Sequence, residues 1–271
     1  METKNGGVRN PSLRKTFMSK FIRKILACCM LFRRWQFFAL FQYFSARFIP
    51  TCLFGLNKHV FYSLSRESLL SSPDINEIES KVEIELGNEK TVAEIVRDLY
   101  SDDSEALEFY ANFYRDGIMP YVARVDGKTI GVVWLYVGYY LANWEGYESW
   151  LLRIGIEPTS KFVANVFVDP LWRGRKIFHA IISRCVSIYC NDKLYSCVDE
   201  LNITSIMAHE RIGFCRCAVA YYIRFFRFAY CIFLTEKGKG RWGFRCFRLP
   251  RGKAVSILIS DTVTNSDLKS E

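Results

Sequence analysis

Histidine is scarce in this chain, with three residues (His59, His179 and His209) among 271, and its ten cysteines include no Cys-x-x-Cys pair. Zinc sites need thiolates and imidazoles clustered at short spacing, so a ligand framework is missing and no metal is expected. His209-Glu210 has no second histidine four residues on, which excludes the helix-borne metalloprotease motif. Scattered thiols without such a framework suit a reducing compartment, and a cytoplasmic location is the expectation. The N-terminal region also lacks a bilayer-spanning run: its longest uncharged stretch, residues 35–46, is too short, and Arg33, Arg34 and Arg47 bound it. Acid is almost missing there, since residues 1–60 hold 11 Lys or Arg against the single acid Glu2. The remainder carries 26 basic and 27 acidic residues, so the net +9 of the whole chain is an N-terminal property. A nucleic-acid partner for the main domain is therefore not expected.

Half of the residues are hydrophobic and 16% are aromatic, enough to bury a full core in one main domain. The division read from the sequence is a basic amphipathic segment at 1–70, the main domain at 71–235, and a basic loop, a last strand and a polar tail at 236–271. On a helical wheel Met18, Ile22, Ile25, Cys29 and Phe32 share a face, with Lys20, Arg23, Lys24 and Arg34 opposite. Such a stripe suits packing on the domain, a homodimer partner, or a peripheral position on the inner face of a membrane. An amphipathic targeting peptide, or a start at Met18, is a further option. Cys28 and Cys29 fit either acylation near a membrane or ordinary burial.

Periodicity predicts a first strand at 82–86 and helices at 91–100 and 104–114, followed by a hairpin over 121–136 turning at Asp126-Gly127. Strands at 162–168 and 194–198 flank a helix at 177–188, a parallel βαβ crossover. Strands at 214–225 and 228–234 follow, and a last one at 254–260. Residues 237–245 read as a glycine-spaced basic hairpin or loop.

Two segments carry chemistry. Strand 162–168 breaks at Asp169-Pro170, and Arg173, Arg175 and Lys176 then crowd the first turn of the next helix. Cations there oppose the helix dipole unless an anion arrives, and a pyrophosphate would satisfy both the amides and the guanidinium groups. A solvated basic turn is the alternative. Downstream, Asn202, Ser205, His209, Arg211, Gly213 and Phe214 keep a fixed spacing, with Asn202 also suited to cap a helix and Gly213 to end it.

Together these segments resemble the GCN5-related N-acetyltransferase (GNAT) superfamily, over about residues 91–233. The downstream segment fits a motif of the form N-x-x-[AS]-x-x-x-[YH]-x-[KR]-x-G-F at six positions. The upstream one fits [QR]-x-x-G-x-[GA] only in part, with Arg173 in place but Lys176 where the family has glycine and Phe178 where it has glycine or alanine. The resemblance implies an α+β fold, a mixed and mostly antiparallel sheet with a central parallel βαβ crossover and flanking helices. It implies acetyl-CoA, or another acyl-CoA, as co-substrate and a small-molecule, sugar or peptide amine as acceptor. By the same resemblance Phe167 and Val168 present amides to the thioester arm. Arg173, Gly174, Arg175, Lys176, Ile177 and Phe178 form the phosphate turn, with Asn202 and Ser205 nearby. His209 stands where the family commonly has a tyrosine that protonates the departing thiolate, or else packs under the sheet.

A general base is sought in 138–160, a long stretch in which Glu145, Glu148 and Glu157 lie among Trp144, Tyr147, Trp150 and Leu151. Glu148 is the first candidate, with a solvated loop carboxylate as the plain alternative. The rival to an enzyme is a catalytically inactive protein of the same fold, a binding or scaffold module at a membrane surface, for which Lys176 and Phe178 speak.

Overall fold

The computed structural model describes residues 42, 44, 45, 47 and 48 and the segments 54–70, 82–142, 151–189, 193–226, 228–236, 242–249 and 254–259. Elements in chain order are β1 (Phe54–Ser65), α1 (Arg66–Leu70), β2 (Glu83–Leu86), α2 (Glu89–Tyr100), α3 (Ser104–Arg115), β3 (Met119–Val125) and β4 (Lys128–Val137). They continue with β5 (Tyr139–Ala142), β6 (Leu151–Gly155), β7 (Lys161–Val168), a 3-10 turn (Pro170–Trp172), α4 (Ile177–Tyr189), β8 (Lys193–Asp199) and α5 (Ile203–Ile212). The chain closes with β9 (Cys215–Phe225), β10 (Phe228–Glu236), β11 (Trp242–Leu249) and β12 (Ala254–Leu258).

Nine strands form one sheet in the order β11-β10-β9-β1-β8-β7-β4-β3-β2, and β12-β6-β5 form a second, smaller one. Within the large sheet β7 and β8 are the parallel pair and the rest are antiparallel, so the α+β class and its central crossover hold. The turn signal acts as expected, and two helix caps join it. Asp126 and Gly127 both have positive φ (50° and 74°), which a two-residue primed turn requires. Asn88 caps α2 in a reciprocal box with Thr91, and Asp103 caps α3 through Glu105 and Ala106.

Three departures from the sequence reading follow from pairings distant in the chain. First, the boundary at 71 does not divide the fold, because β1 lies at the middle of the sheet, antiparallel to both β8 and β9. Its Lys58 pairs with Glu200 beyond the end of β8, so the cation that interrupts the apolar run is answered 142 residues away. Second, the stretch read as a loop at 138–160 contains β5 and β6, which are completed by β12 running parallel to β6. Third, 237–245 is split: Trp242 opens β11, which extends the large sheet beyond the boundary at 235. The N-terminal amphipathic stripe at 18–34 lies outside the described residues.

The small sheet covers one face of the large one. Leu152, Ile154 and Ile257 share a buried cluster there with Phe61, Phe162, Tyr222 and Phe233, and α2 and α3 extend it through Val92, Ile95 and Tyr110. On the opposite face Val60, Tyr62, Leu64 and Leu194 meet Ile177, Ile181 and Cys185 of α4 and Ile206 and Ile212 of α5. Alternate residues of β1 thus feed both cores, and each large apolar side chain fully buried there contributes about 1.5–3 kcal/mol. Removal of residues 1–70 is expected to abolish cooperative thermal unfolding, as read by circular dichroism; a sharp melt from the remaining 71–271 would show that β1 is dispensable.

Candidate active site

The parallel pair is joined only at its start, through Lys161↔Leu194, Phe162↔Tyr195 and Val163↔Ser196. The cause lies on the other side of β7. Trp134 of β4 faces Ala164 and Val132 faces Phe167, so Asn165 and Val166 together oppose Val133. Asn165 takes the left-handed conformation (φ 50°), and this two-against-one bulge turns the strand out of register. Beyond Val163, β7 therefore keeps its ladder to β4 and parts from β8.

At the carboxyl end of β7 the Asp169 amide donates to the Ile130 carbonyl (2.9 Å), and the Asp169 side chain accepts from Leu171 N (2.9 Å). The 3-10 turn follows, then Arg173, whose Nε donates to the Val168 carbonyl (3.0 Å) while its guanidinium lies over the Phe167 ring. Arg175 stacks over Trp172 with 4.9 Å to the ring centroid. Gly174 and Lys176 both have positive φ (80° and 59°), and a Cβ on Gly174 would meet nothing within 4 Å. The turn is exposed and carries three cations, and it delivers the chain into the first turn of α4, whose leading amides have no carbonyl within the helix. An anion of pyrophosphate type fits these donors.

Ile177 and Phe178 enter that site only through their backbones. Ile177 is buried, close against Gly131, and Phe178 turns inward onto the His209 ring at 4.9 Å. The position where the family pattern has glycine is held by Lys176 in a conformation costing an L-residue about 1 kcal/mol, which explains why glycine suits it.

The second helix, α5, begins on the same carboxyl edge of the parallel pair. Asn202 caps it by accepting from Ser205 N (3.1 Å), and Gly213 ends it at φ 102°. His209 does not reach this edge as a proton donor. It is 2% exposed, its Nδ1 donates to the Ser205 carbonyl (2.7 Å), and its Nε2 accepts from Ser196 Oγ (2.9 Å). Phe214 and Tyr62 complete an aromatic enclosure around the ring. Burial pulls its pKa down to about 4, the Ser205 bond opposing only in part, so the ring is neutral and both nitrogens are committed. With both nitrogens bonded inside the fold, this arrangement fits the packing alternative for His209.

Sequence reading missed the aromatic side of the cleft. Tyr100 of α2 packs on Phe167 at 5.1 Å and accepts a 2.8 Å hydrogen bond from the Tyr110 hydroxyl. Trp134 lies stacked on Tyr110, and Asn165 Nδ2 donates to the Tyr136 hydroxyl (3.0 Å). Burial raises the pKa of Tyr100, Tyr110 and Tyr136, which keeps these hydroxyls protonated. The one signal for them was Asn165, a polar interruption in an otherwise apolar strand. Glu145 and Glu148 lie outside the described residues. Glu157 accepts from the Tyr195 hydroxyl (3.1 Å), a bond between the chain entering β7 and the interior of β8. Among the described residues no group of three metal-ligating side chains gathers.

Residues 89–214 match the family model described as Acetyltransferase (GNAT) family. Similar solved structures include a functionally unknown conserved protein from Staphylococcus epidermidis, with 15% identity over 63% of this chain and 62% of that one (TM-score 0.45). A GNAT-family acetyltransferase from Colwellia psychrerythraea shares 10% identity over 63% of this chain and 55% of that one (TM-score 0.40). A ribosomal-protein-alanine N-acetyltransferase from Brucella melitensis shares 20% over 49% and 90% (TM-score 0.36). The chain spans less than two thirds of the length of the first two. A search of curated protein sequences finds no match.

Two outcomes test this geometry. Lys176→Gly removes the left-handed strain and is expected to stabilise the fold by about 1 kcal/mol in chemical denaturation, with Gly174→Ala moving the opposite way. The depressed pKa of His209 means that the unfolded chain binds a proton between pH 6.5 and about 4 that the folded chain refuses. Stability must then fall as pH drops through that window, by about 3 kcal/mol in all. His59, lowered to about 3 by burial, adds to the same slope. Denaturation curves across the window should flatten in His209→Gln; an unchanged slope would deny the ring its buried neutral state.

Proposed function

We propose that the chain transfers an acetyl or other short acyl group from acyl-CoA to an amine of a small molecule, sugar or peptide by direct attack. The observation carrying this reading is the parting of β7 from β8 beside a three-cation turn at the start of α4. A narrow acyl-bearing arm fits between the strands while its diphosphate occupies the turn. Bound there, acyl-CoA supplies an activated carbonyl carbon.

The chain's own groups position and polarise. The amides of Phe167 and Val168 are assigned to the thioester arm; Arg173, Arg175 and Lys176, with the amides of Gly174, Ile177 and Phe178, hold the phosphates. Arg173 is braced for this by its bond to Val168, which leaves the rest of its guanidinium for the ligand. Asn202 and Ser205, on the same edge, complete the rim. The amine nitrogen forms the new C–N bond as the C–S bond breaks, so one proton must leave the nitrogen and one must reach the sulfur. Glu148 is assigned the first. The second needs no buried acid, because a free thiol has a pKa of about 8.5 and takes its proton from water near neutrality. Tyr100 packs on Phe167, with Tyr110 and Tyr136 buried behind it, and a ring with a hydroxyl tip there suits an amine on a polar, partly apolar frame.

A second reading, a binding module of the same fold without turnover, is favoured by Lys176 at the turn and by the committed His209 ring. Calorimetry separates the two. Acetyl-CoA is expected to bind, and Arg173→Ala or Arg175→Ala should each raise Kd roughly tenfold or more, the loss of one charge-assisted contact. CoA lacking its phosphates should bind weakly. Absence of heat with acetyl-CoA rejects the enzyme and favours a scaffold without donor affinity, whereas binding without acyl transfer to any amine leaves a binding module.

A further inference from the structure

Charge in this chain is segregated in three blocks. Residues 1–60 hold 11 Lys or Arg and one acid, residues 211–260 again hold 11 and one (Glu236), and residues 61–210 hold 14 against 23 acids. The strand order β11-β10-β9-β1 brings the end of the first block, β1, beside the strands of the last one, although the sequence separates them by the whole acidic part. Phe54 pairs with Phe225, Phe225 with Phe228, and Tyr230 with Arg248, so the start of β1, the β9–β10 hairpin and the last part of β11 share one end of the sheet.

That end is apolar as well as basic. Phe225 and Phe226 are 55% and 54% exposed at the hairpin tip, and Arg248 lies over the Phe228 ring. Gln42 donates to Asn57 near the start of β1, which ties to that strand the helical residues carrying the exposed Phe44, Arg47 and Phe48 (72% exposed). We propose that this end of the sheet is a docking surface for an anionic phospholipid bilayer. The inference is independent of the acyl-transfer reading.

The arrangement selects among occupants. A second copy would set arginines against arginines with no acid to answer them, since residues 215–235 contain none. A single-stranded nucleic acid needs open ring faces on which bases stack. Here Phe225 and Phe226 pack edge to face on each other (4.6 Å, 86°), and Phe44 and Phe48 stack on each other, which makes apolar knobs and not platforms. Knobs accompanied by the exposed Arg47 and Arg248 suit the boundary between acyl chains and anionic headgroups. No helix among the described residues is long and apolar enough to cross a membrane, so contact would be with one surface.

Sedimentation of the full chain with vesicles tests the surface. The parent should partition onto phosphatidylcholine–phosphatidylglycerol vesicles and far less onto phosphatidylcholine alone, with binding weakened by salt. Phe225→Ser/Phe226→Ser should lower partition about tenfold or more, and Arg248→Glu by a smaller factor, with melting temperature kept. Should the double variant fold poorly, Phe226→Trp provides a second readout, its emission being quenched by brominated lipid beyond the quenching of the parent. Equal partition onto neutral vesicles, unchanged partition of the double variant, no quenching, or displacement from vesicles by a single-stranded oligonucleotide would each overturn the proposal.

Discussion

A strand in the middle of a sheet normally spends its amides on two neighbours, and β7 stops doing so on one side after Val163. The bulge at Asn165 and Val166 is the constraint from which the cleft follows, because it satisfies β7 through β4 while steering it off β8. Backbone polar groups on the parting edge then need a ligand, water or a side chain, and Arg173 already takes one of them, the Val168 carbonyl. The same divergence points the end of β7 and the start of α4 toward one opening. A cleft, a phosphate-sized turn and the aromatic lining by Tyr100 and Phe167 are thus consequences of one irregularity in pairing.

How much of this the sequence disclosed depends on the range of the interactions. Asp126-Gly127, Asn88 and Gly213 act within a few residues of themselves, and turn, cap and terminator are legible from those residues alone. The crossover is legible too, since β7, α4 and β8 are consecutive and their apolar periods change from two to 3.6 and back. β1 is not legible. With buried residues on both faces it has no alternation, and Lys58 and His59 disguise it until Glu200 and the interior are in place. β5, β6 and β12 hide for a related reason: β6 finds its parallel partner about a hundred residues later, beyond any local pattern.

At the site itself the motif positions were readable and their roles were not. His209 occupies the motif position, yet Phe178 has turned inward to cover it, and the two substitutions explain each other. A small residue at 178 would leave the ring facing the cleft, whereas a phenylalanine there closes the enclosure begun by Tyr62 and Phe214. Spacing can report that a residue stands at a position, but which way its ring nitrogens point depends on Ser196 and Ser205 across the packing. Lys176 carries a similar lesson: the backbone there still follows the left-handed path that glycine favours, and the side chain converts the cost of that path into one more cation at the turn.

The distribution of charge extends the argument from the site to the whole molecule. The start of β1 and the arginine-bearing strands β9 to β11 share a sheet because β1 enters between β8 and β9, the same insertion that joins the two cores. Like charges brought together in this way repel across the sheet and lower stability unless counterions or an anionic partner gather over them. A fold that needed only its core could have placed acids among those arginines, as it does around Arg124, which pairs with both Glu85 and Glu94 at the other end of the sheet. Acidic residues outnumber basic ones in 61–210, while the proposed docking end presents the exposed Phe225, Phe226 and Arg248.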